Sequence, residues 1–145
     1  KKVAIIDCDM HWGNGTDDIL KHLPEKSIRH LSFGRYFNHP SHAEDYLSWL
    51  SSYDGIVSKL LEKFKPDLIL YQAGADVHVN DPYGGVLTTN EMRERDLRMF
   101  RLAKKFKIPL AWNLAGGYQV GPDGSIDKVL ELHLNTFKAC VSVYS

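Results

Sequence analysis

Three short segments of the chain hold side chains able to do chemistry. The first reads Asp7-Cys8-Asp9-Met10-His11-Trp12-Gly13-Asn14-Gly15. Residues two apart share a face of extended backbone, so Asp7, Asp9 and His11 can project together. Asp9 and His11 then offer an oxygen and a nitrogen at metal-ligand spacing. The second segment, Gln72-Ala73-Gly74-Ala75-Asp76-Val77-His78, adds a carboxylate. The third, Ala115-Gly116-Gly117-Tyr118, joins a phenol to two glycines, which permit unusual backbone angles and close approach. Asp9, His11 and Asp76 would give a divalent cation three protein ligands and leave positions for water and substrate. That open, mixed nitrogen and oxygen set belongs to catalytic rather than structural zinc. Such an ion polarises a carbonyl and makes its bound water a better nucleophile at neutral pH. Tyr118 could donate a hydrogen bond to the oxyanion as the carbonyl becomes tetrahedral. The chemistry that fits is metal-assisted hydrolysis of an amide or ester.

Each feature has an ordinary alternative. An Asp after a buried strand serves also as a helix cap or turn former, and a Gly-Gly-Tyr run as a turn. His78, beside Asp81-Pro82, reads as a surface or supporting group rather than a ligand. His22, His30, His39, His42 and His133 show no ligand spacing and read as structural. What favours chemistry is that all the candidates follow apolar runs, in order.

Those runs are Val3 to Ile6, Ile28 to Phe33, Asp67 to Tyr71 and Pro109 to Leu114, each strand-like in its β-branched content. Helical spacing occupies Thr16 to Leu23, Tyr53 to Phe64 and Ile126 to about Val143. Thr88 with Glu91 makes a capping-box pattern opening a charged helix that runs through Leu97, Phe100, Leu102 and Phe106. Strands alternating with helices predict an α/β fold, three layers deep, with a mainly parallel sheet covered on both faces. Ligands in that architecture bind beyond the carboxyl ends of the strands. The polar stretch Gly34 to Ser52 is long for a connector, and long loops are often functional.

The chain has 145 residues, 18 Lys+Arg against 18 Asp+Glu, 43% hydrophobic and 25% charged residues. This is the composition of one globular domain, not of a disordered or fibrous chain. No apolar run approaches the roughly 20 residues of a membrane span. Neutrality argues against a nucleic-acid-binding surface. Cys8 and Cys140 give no disulfide framework, so a cytoplasmic, reducing setting is expected.

Ile6-Asp7-Cys8-Asp9-Met10-His11-Trp12-Gly13-Asn14-Gly15-Thr16 resembles the Asp-x-Asp-x-His-x-Gly-Asn/Asp-Gly-Thr signature of the histone deacetylase superfamily, which includes acetylpolyamine amidohydrolases and acetoin-utilisation proteins. Pro66 to Asp76, followed by Asp81-Pro82-Tyr83-Gly84-Gly85, is similar to its second signature, and Leu114-Ala115-Gly116-Gly117-Tyr118 to its third. The resemblance implies zinc (or Fe2+) held by Asp9, His11 and Asp76, with Tyr118 as the transition-state tyrosine. It places Asp7 against a catalytic histidine and, with Ser32 and the Phe33 carbonyl, around a structural potassium ion. Asn14 would orient a second catalytic histidine, Gly116 and Gly117 would line an acyl tunnel, and Phe37 would stand at its rim. An acylated amine, either protein acetyl-lysine or a small acetylated amine, is the implied substrate.

The family carries an adjacent His-His pair upstream of the first signature, and none of the seven histidines here is adjacent to another. Trp12 stands where many members have a second His. The expectation is therefore that residues 1–145 form the carboxyl-terminal portion of one deacetylase-like catalytic domain, inactive without the amino-terminal half as partner. On that expectation Val3 to Ile6 is flanked by strands absent from this sequence, and the exposed edge makes the chain associate. Two other functions compete with this one. A zinc-binding module without catalysis is consistent with the missing pair. A nucleotide-binding domain finds no Gly-x-Gly-x-x-Gly or Gly-Lys-Ser/Thr loop.

Overall fold

The four β-branched runs become four strands, β1 Val3–Asp7, β2 Ile28–Ser32, β3 Leu68–Gly74 and β4 Leu110–Ala115. They form one all-parallel sheet in the order β2-β1-β3-β4. The computed structural model describes residues 1–24, 26–37, 39–51 and 55–145. Among these, β1 is central, with β2 and β3 of this same chain as its neighbours. This corrects the expectation that the first strand would be flanked by strands from elsewhere. The outer strands are β2 and β4.

Five α-helices accompany the sheet among the described residues: α1 Asn14–His22, α2 Ala43–Ser51, α3 Ile56–Phe64, α4 Thr89–Phe106 and α5 Asp127–Tyr144. Tyr53, expected to open the second of the helical stretches, lies outside the described residues. Thr88 caps α4: its hydroxyl accepts from Glu91 N–H, and the Glu91 carboxylate accepts from Thr88 N–H at 2.8 Å. The helix ends at Lys107, whose φ of 55° is left-handed.

The polar stretch Gly34 to Ser52 reads as a long connector, yet α2 lies there. Tyr46 and Leu50, four apart, are fully buried, and two 3₁₀ turns, Phe33–Arg35 and Pro40–His42, lead into the helix. Strand β2 correspondingly ends one residue early, and Phe33 starts the first of these turns. Strand β3 runs three residues past the expected Tyr71, because Ala73 and Gly74 keep pairing with Leu114 and Ala115.

Alternation along the strands divides the sheet into two faces. Ala4, Ile6, Ile69, Tyr71 and Ala73 point to a buried face, where α4 packs through Phe100 against Tyr71 and Trp112. On α4 rest α5 and α2, and α3 packs on α2. On the opposite face α1 reaches β2 through Asp17 and His30, while Leu70 of β3 stays partly exposed. A stripe on α5, Leu130, Leu134, Phe137 and Val141, and Leu114 on outer strand β4 are also exposed. No helix among the described residues is long and apolar enough to cross a membrane.

Candidate metal centre

Two neighbouring strand tips deliver the three ligand candidates to one point. Beyond β1 the chain leaves the sheet as Cys8-Asp9-Met10-His11, and β3 ends two residues before Asp76. Because β1 and β3 run parallel with Asp7 opposite Gln72, both tips emerge side by side. His11 Nδ1 lies 2.8 Å from Asp76 Oδ2 and 3.4 Å from Asp9 Oδ1. One ligand atom from each residue falls within 4.8 Å of the other two. An imidazole nitrogen and two carboxylate oxygens converging over that span fit a divalent cation.

The local backbone explains the convergence. Asp7 Oδ1 accepts from Asp9 N–H at 3.1 Å, and Asp9 Oδ1 accepts from His11 N–H at 2.8 Å. These two Asx-type bonds bend the chain over the end of the sheet. Gly74 lets the tips approach: a methyl there would lie 2.5 Å from Asp9 Cα. Gly116, at φ +58°, wraps Asp76 so closely that a methyl would come within 2.6 Å of its Cγ, and Gly117, at φ +95°, packs the same turn on Val129 of α5.

The electrostatics match a site that wants positive charge. Asp76 is fully buried and accepts from Met10 N–H at 3.2 Å. Burial, and then the charge of Asp9, push its carboxyl up to about 6. Burial disfavours protonated His11, but the hydrogen bonds and charges of Asp76 and Asp9 outweigh it and raise the imidazole pKa. Crowded carboxylates retaining protons are relieved by a bound cation.

Tyr118 stands beside this cluster. Its N–H donates to Asp81 Oδ2 at 2.7 Å, while Asp81 Oδ1 accepts from Tyr83 N–H at 2.9 Å. The two tyrosine rings meet edge to face at 5.3 Å. The half-exposed phenol has its pKa raised by slight burial and by the charges of Asp76 and Asp9. Asp81 was legible only as part of a motif; its grip on the Tyr118 backbone was not.

The remaining expected site residues are distributed more widely. Asp7 and Ser32 are buried, and the Ser32 hydroxyl accepts from Gly13 N–H at 3.0 Å and lies 3.5 Å from the His11 carbonyl. The Phe33 carbonyl accepts from Tyr36 and Phe37 N–H. Asn14 is exposed at the start of α1 and, among the described residues, makes no hydrogen bond to Asp9, His11 or Asp76. Phe37, expected at a tunnel rim, is 5% exposed, enclosed by the rings of Phe33, Tyr46 and Trp49; its neighbour Tyr36 is the exposed aromatic. Asn38 lies outside the described residues. His78 is buried rather than at the surface, bonded to Thr89 Oγ1 and Asn80 N–H. His30, read as structural, ties α1 to β1: Nδ1 lies 2.8 Å from Asp17 and Nε2 3.6 Å from Asp7.

Comparisons with known proteins converge on one family. A family model described as the histone deacetylase domain matches residues 38–136, a span that contains Asp76 and Tyr118 and starts after Asp9 and His11. An uncharacterized protein of Picosynechococcus sp. is 31% identical over 136 residues, covering 81% of this chain and 43% of the relative. Histone deacetylase 2 of Arabidopsis thaliana is 27% identical over 131 residues, covering 81% of this chain and 34% of that protein. The crystal structure of an acetylpolyamine aminohydrolase from Burkholderia pseudomallei superposes with a TM-score of 0.66 at 17% identity, over 98% of this chain and 45% of the other. The chain thus spans less than half the length of these relatives.

Proposed function

Because the chain belongs to the histone deacetylase domain family, we propose that it carries the metal-binding and oxyanion-binding parts of a zinc-dependent deacetylase acting on an N-acetylated amine. The observation that carries this reading is the meeting of Asp9, His11 and Asp76 at the β1 and β3 tips, with Tyr118 in the field of the same carboxylates.

Asp9, His11 and Asp76 would hold the zinc, and the same donor set accepts Fe2+. When bound, the ion supplies carbonyl polarisation and a more acidic water. The protein residues do the rest. Tyr118 donates its phenolic proton in a hydrogen bond to the oxyanion that forms as the acetyl carbon becomes tetrahedral. Asp81 fixes the Tyr118 backbone and thereby the reach of the ring. Gly116 and Gly117 would line the acyl tunnel beside Tyr118, Gly116 letting the turn close on Asp76 and Gly117 letting it close on Val129. Buried Asp7 and Ser32, with the Phe33 carbonyl, would seat a structural potassium ion near the zinc loop.

The step these residues do not cover is removal of the water proton, since no two of the seven histidines are adjacent. General bases commonly contribute about 10²–10⁴-fold. In this reading a further segment supplies them, pairing with outer strand β4 and covering the exposed α5 stripe. A cytoplasmic setting goes with the two free thiols. The missing pair also favours a second reading, a zinc-binding module that binds acylated ligands without hydrolysis.

Acetyl-lysine peptides and acetylpolyamines, offered to the 145-residue chain with zinc and then to the chain with a His-His-bearing amino-terminal segment added, separate the two. Hydrolysis that appears only with the added segment supports the enzyme. Stoichiometric zinc with no hydrolysis in either form supports the module. No zinc uptake at all removes both.

A further inference from the structure

Arg95, on α4, is among the largest fully buried side chains of the protein. A guanidinium stripped of water is costly, and an apolar residue of similar volume often serves packing as well or better. Its partners show what the charge is used for. Arg95 Nη1 donates to the Gly74 carbonyl at 2.7 Å and to the Cys8 carbonyl at 3.3 Å. Cys8 immediately precedes Asp9, and Gly74 lies two residues before Asp76. One nitrogen therefore bridges the backbones that carry the two carboxylates of the candidate metal centre.

The bridge stands where the sheet stops holding the tips together. The β1–β3 register ends at Asp7 opposite Gln72, and Cys8 N–H still reaches the Gln72 carbonyl at 3.0 Å. Past that bond the β1–β3 pairing stops: Asp9 turns over the sheet end, close against Gly74, which stays paired with Ala115 of β4. Arg95 Nη1 carries two N–H donors, one for each carbonyl, so a single guanidinium nitrogen joins the tips where the pairing no longer does. It is itself held from behind. Asp96 accepts from Arg95 Nε at 2.8 Å, from Thr136 Oγ1 of α5 at 2.6 Å and from the Tyr71 hydroxyl of β3. Tyr46 of α2 donates to the same Cys8 carbonyl at 3.0 Å. Arg95 and Tyr46 thus hold the two carbonyls next to the site, and Asp96, backed by Thr136 and Tyr71, holds Arg95.

We infer that Arg95 is a positioning residue that sets the separation of the Asp9 and Asp76 carboxylates, and hence the affinity of the site for its cation. This rests on the metal-site reading above. Partners that orient metal ligands from behind typically change metal affinity by about 10–100-fold when removed.

The test uses the full 145-residue chain and Zn2+ itself. Arg95→Met with Asp96→Asn removes the ion pair without leaving Asp96 an uncompensated buried charge: the amide oxygen keeps one of the two hydroxyl donors, Tyr71 or Thr136, and the amide NH2 donates to the other hydroxyl. Zinc affinity is measured by competition with a chromophoric chelator, and the metal-free melting temperature by circular dichroism. The expected result is a melting temperature near that of the parent, with zinc affinity lower by about 10–100-fold. Arg95→Lys keeps the charge on one flexible nitrogen; it is expected to fall between the two, and it decides the matter alone if the double variant does not fold. A folded variant that binds zinc like the parent overturns the positioning role and leaves the metal site standing. A parent chain that takes up no zinc overturns both.

Discussion

Replacing Gly116 by Ala tests how tightly the turn before Tyr118 presses on Asp76. Gly116 sits at φ +58°, where any side chain conflicts with its own backbone; that conflict costs roughly 1–2 kcal/mol. The added methyl would lie 2.6 Å from Asp76 Cγ and Oδ1, and 3.0 Å from its Cβ. Asp76 is fully buried and cannot retreat into solvent. Overpacking of that kind adds about 1–3 kcal/mol, so the total expected loss is about 2–5 kcal/mol, a large share of the stability of a small domain. Gly124 is an internal control. Its φ is +82°, yet a methyl there meets nothing within 4 Å, so Gly124→Ala should cost only the backbone part, about 1 kcal/mol. Urea unfolding of the metal-free parent and both variants gives the difference directly. Chelator competition should show Gly116→Ala weakened in zinc binding and Gly124→Ala unchanged. Equal stability losses in the two variants, with zinc binding intact, would refute the close packing of the turn on Asp76.

Zinc must displace the protons held by Asp76, whose pKa is about 6, and by His11, which is raised above 6.5. Apparent affinity should therefore begin to fall as pH drops below the raised His11 value and fall more steeply below about pH 6, by up to tenfold per pH unit for each proton displaced, as calorimetry in buffers of different ionisation enthalpy can count. Both groups hold protons more tightly folded than unfolded: Asp76 adds stability as pH falls through 6 toward 3.8, and His11 as pH falls through its raised pKa toward 6.5, while buried His78 and half-buried His133, whose pKa values are lowered, act in the opposite sense. The Asp76 part is read as the melting temperature of the parent minus that of Asp76→Asn, and a difference that does not rise as pH falls from 6 to 3.8 would contradict the assignment. Thr88→Ala removes a capping box and should cost about 1 kcal/mol in urea unfolding, without changing zinc affinity. Tyr118→Phe, placed in a catalytically complete form, should lower turnover by about 10²–10³-fold while zinc still binds.

What the sequence displayed were local patterns. The two-residue spacing of Asp9 and His11, the Asp at the end of an apolar run and the Thr88/Glu91 box are each readable from neighbours in the chain, and each residue lies in the local setting those patterns imply. The meeting of Asp76 with His11 was not readable in that way. It depends on β1 and β3 being neighbours, which local periodicity does not specify. Helix α2 escaped notice because its buried Tyr46 and Leu50 are set among Glu44, Asp45 and Ser48 in a short segment. Phe37 looked like a rim aromatic until the rings around it closed over its surface. Arg95 and Asp96 stand in the sequence only as two members of a charged helix. The available signal was their spacing, three and four residues from Met92 and Met99, which places both on the buried face of α4.

X-ray absorption at the zinc edge of the loaded 145-residue chain addresses the main assignment most directly. Ligation by Asp9, His11 and Asp76 predicts a shell of nitrogen and oxygen alone at about 2.0–2.2 Å, with outer scattering from one imidazole, and its loss in Asp76→Ala. A sulfur shell at about 2.3 Å, pointing to Cys8 or Cys140, or a spectrum indifferent to Asp76→Ala, would contradict it.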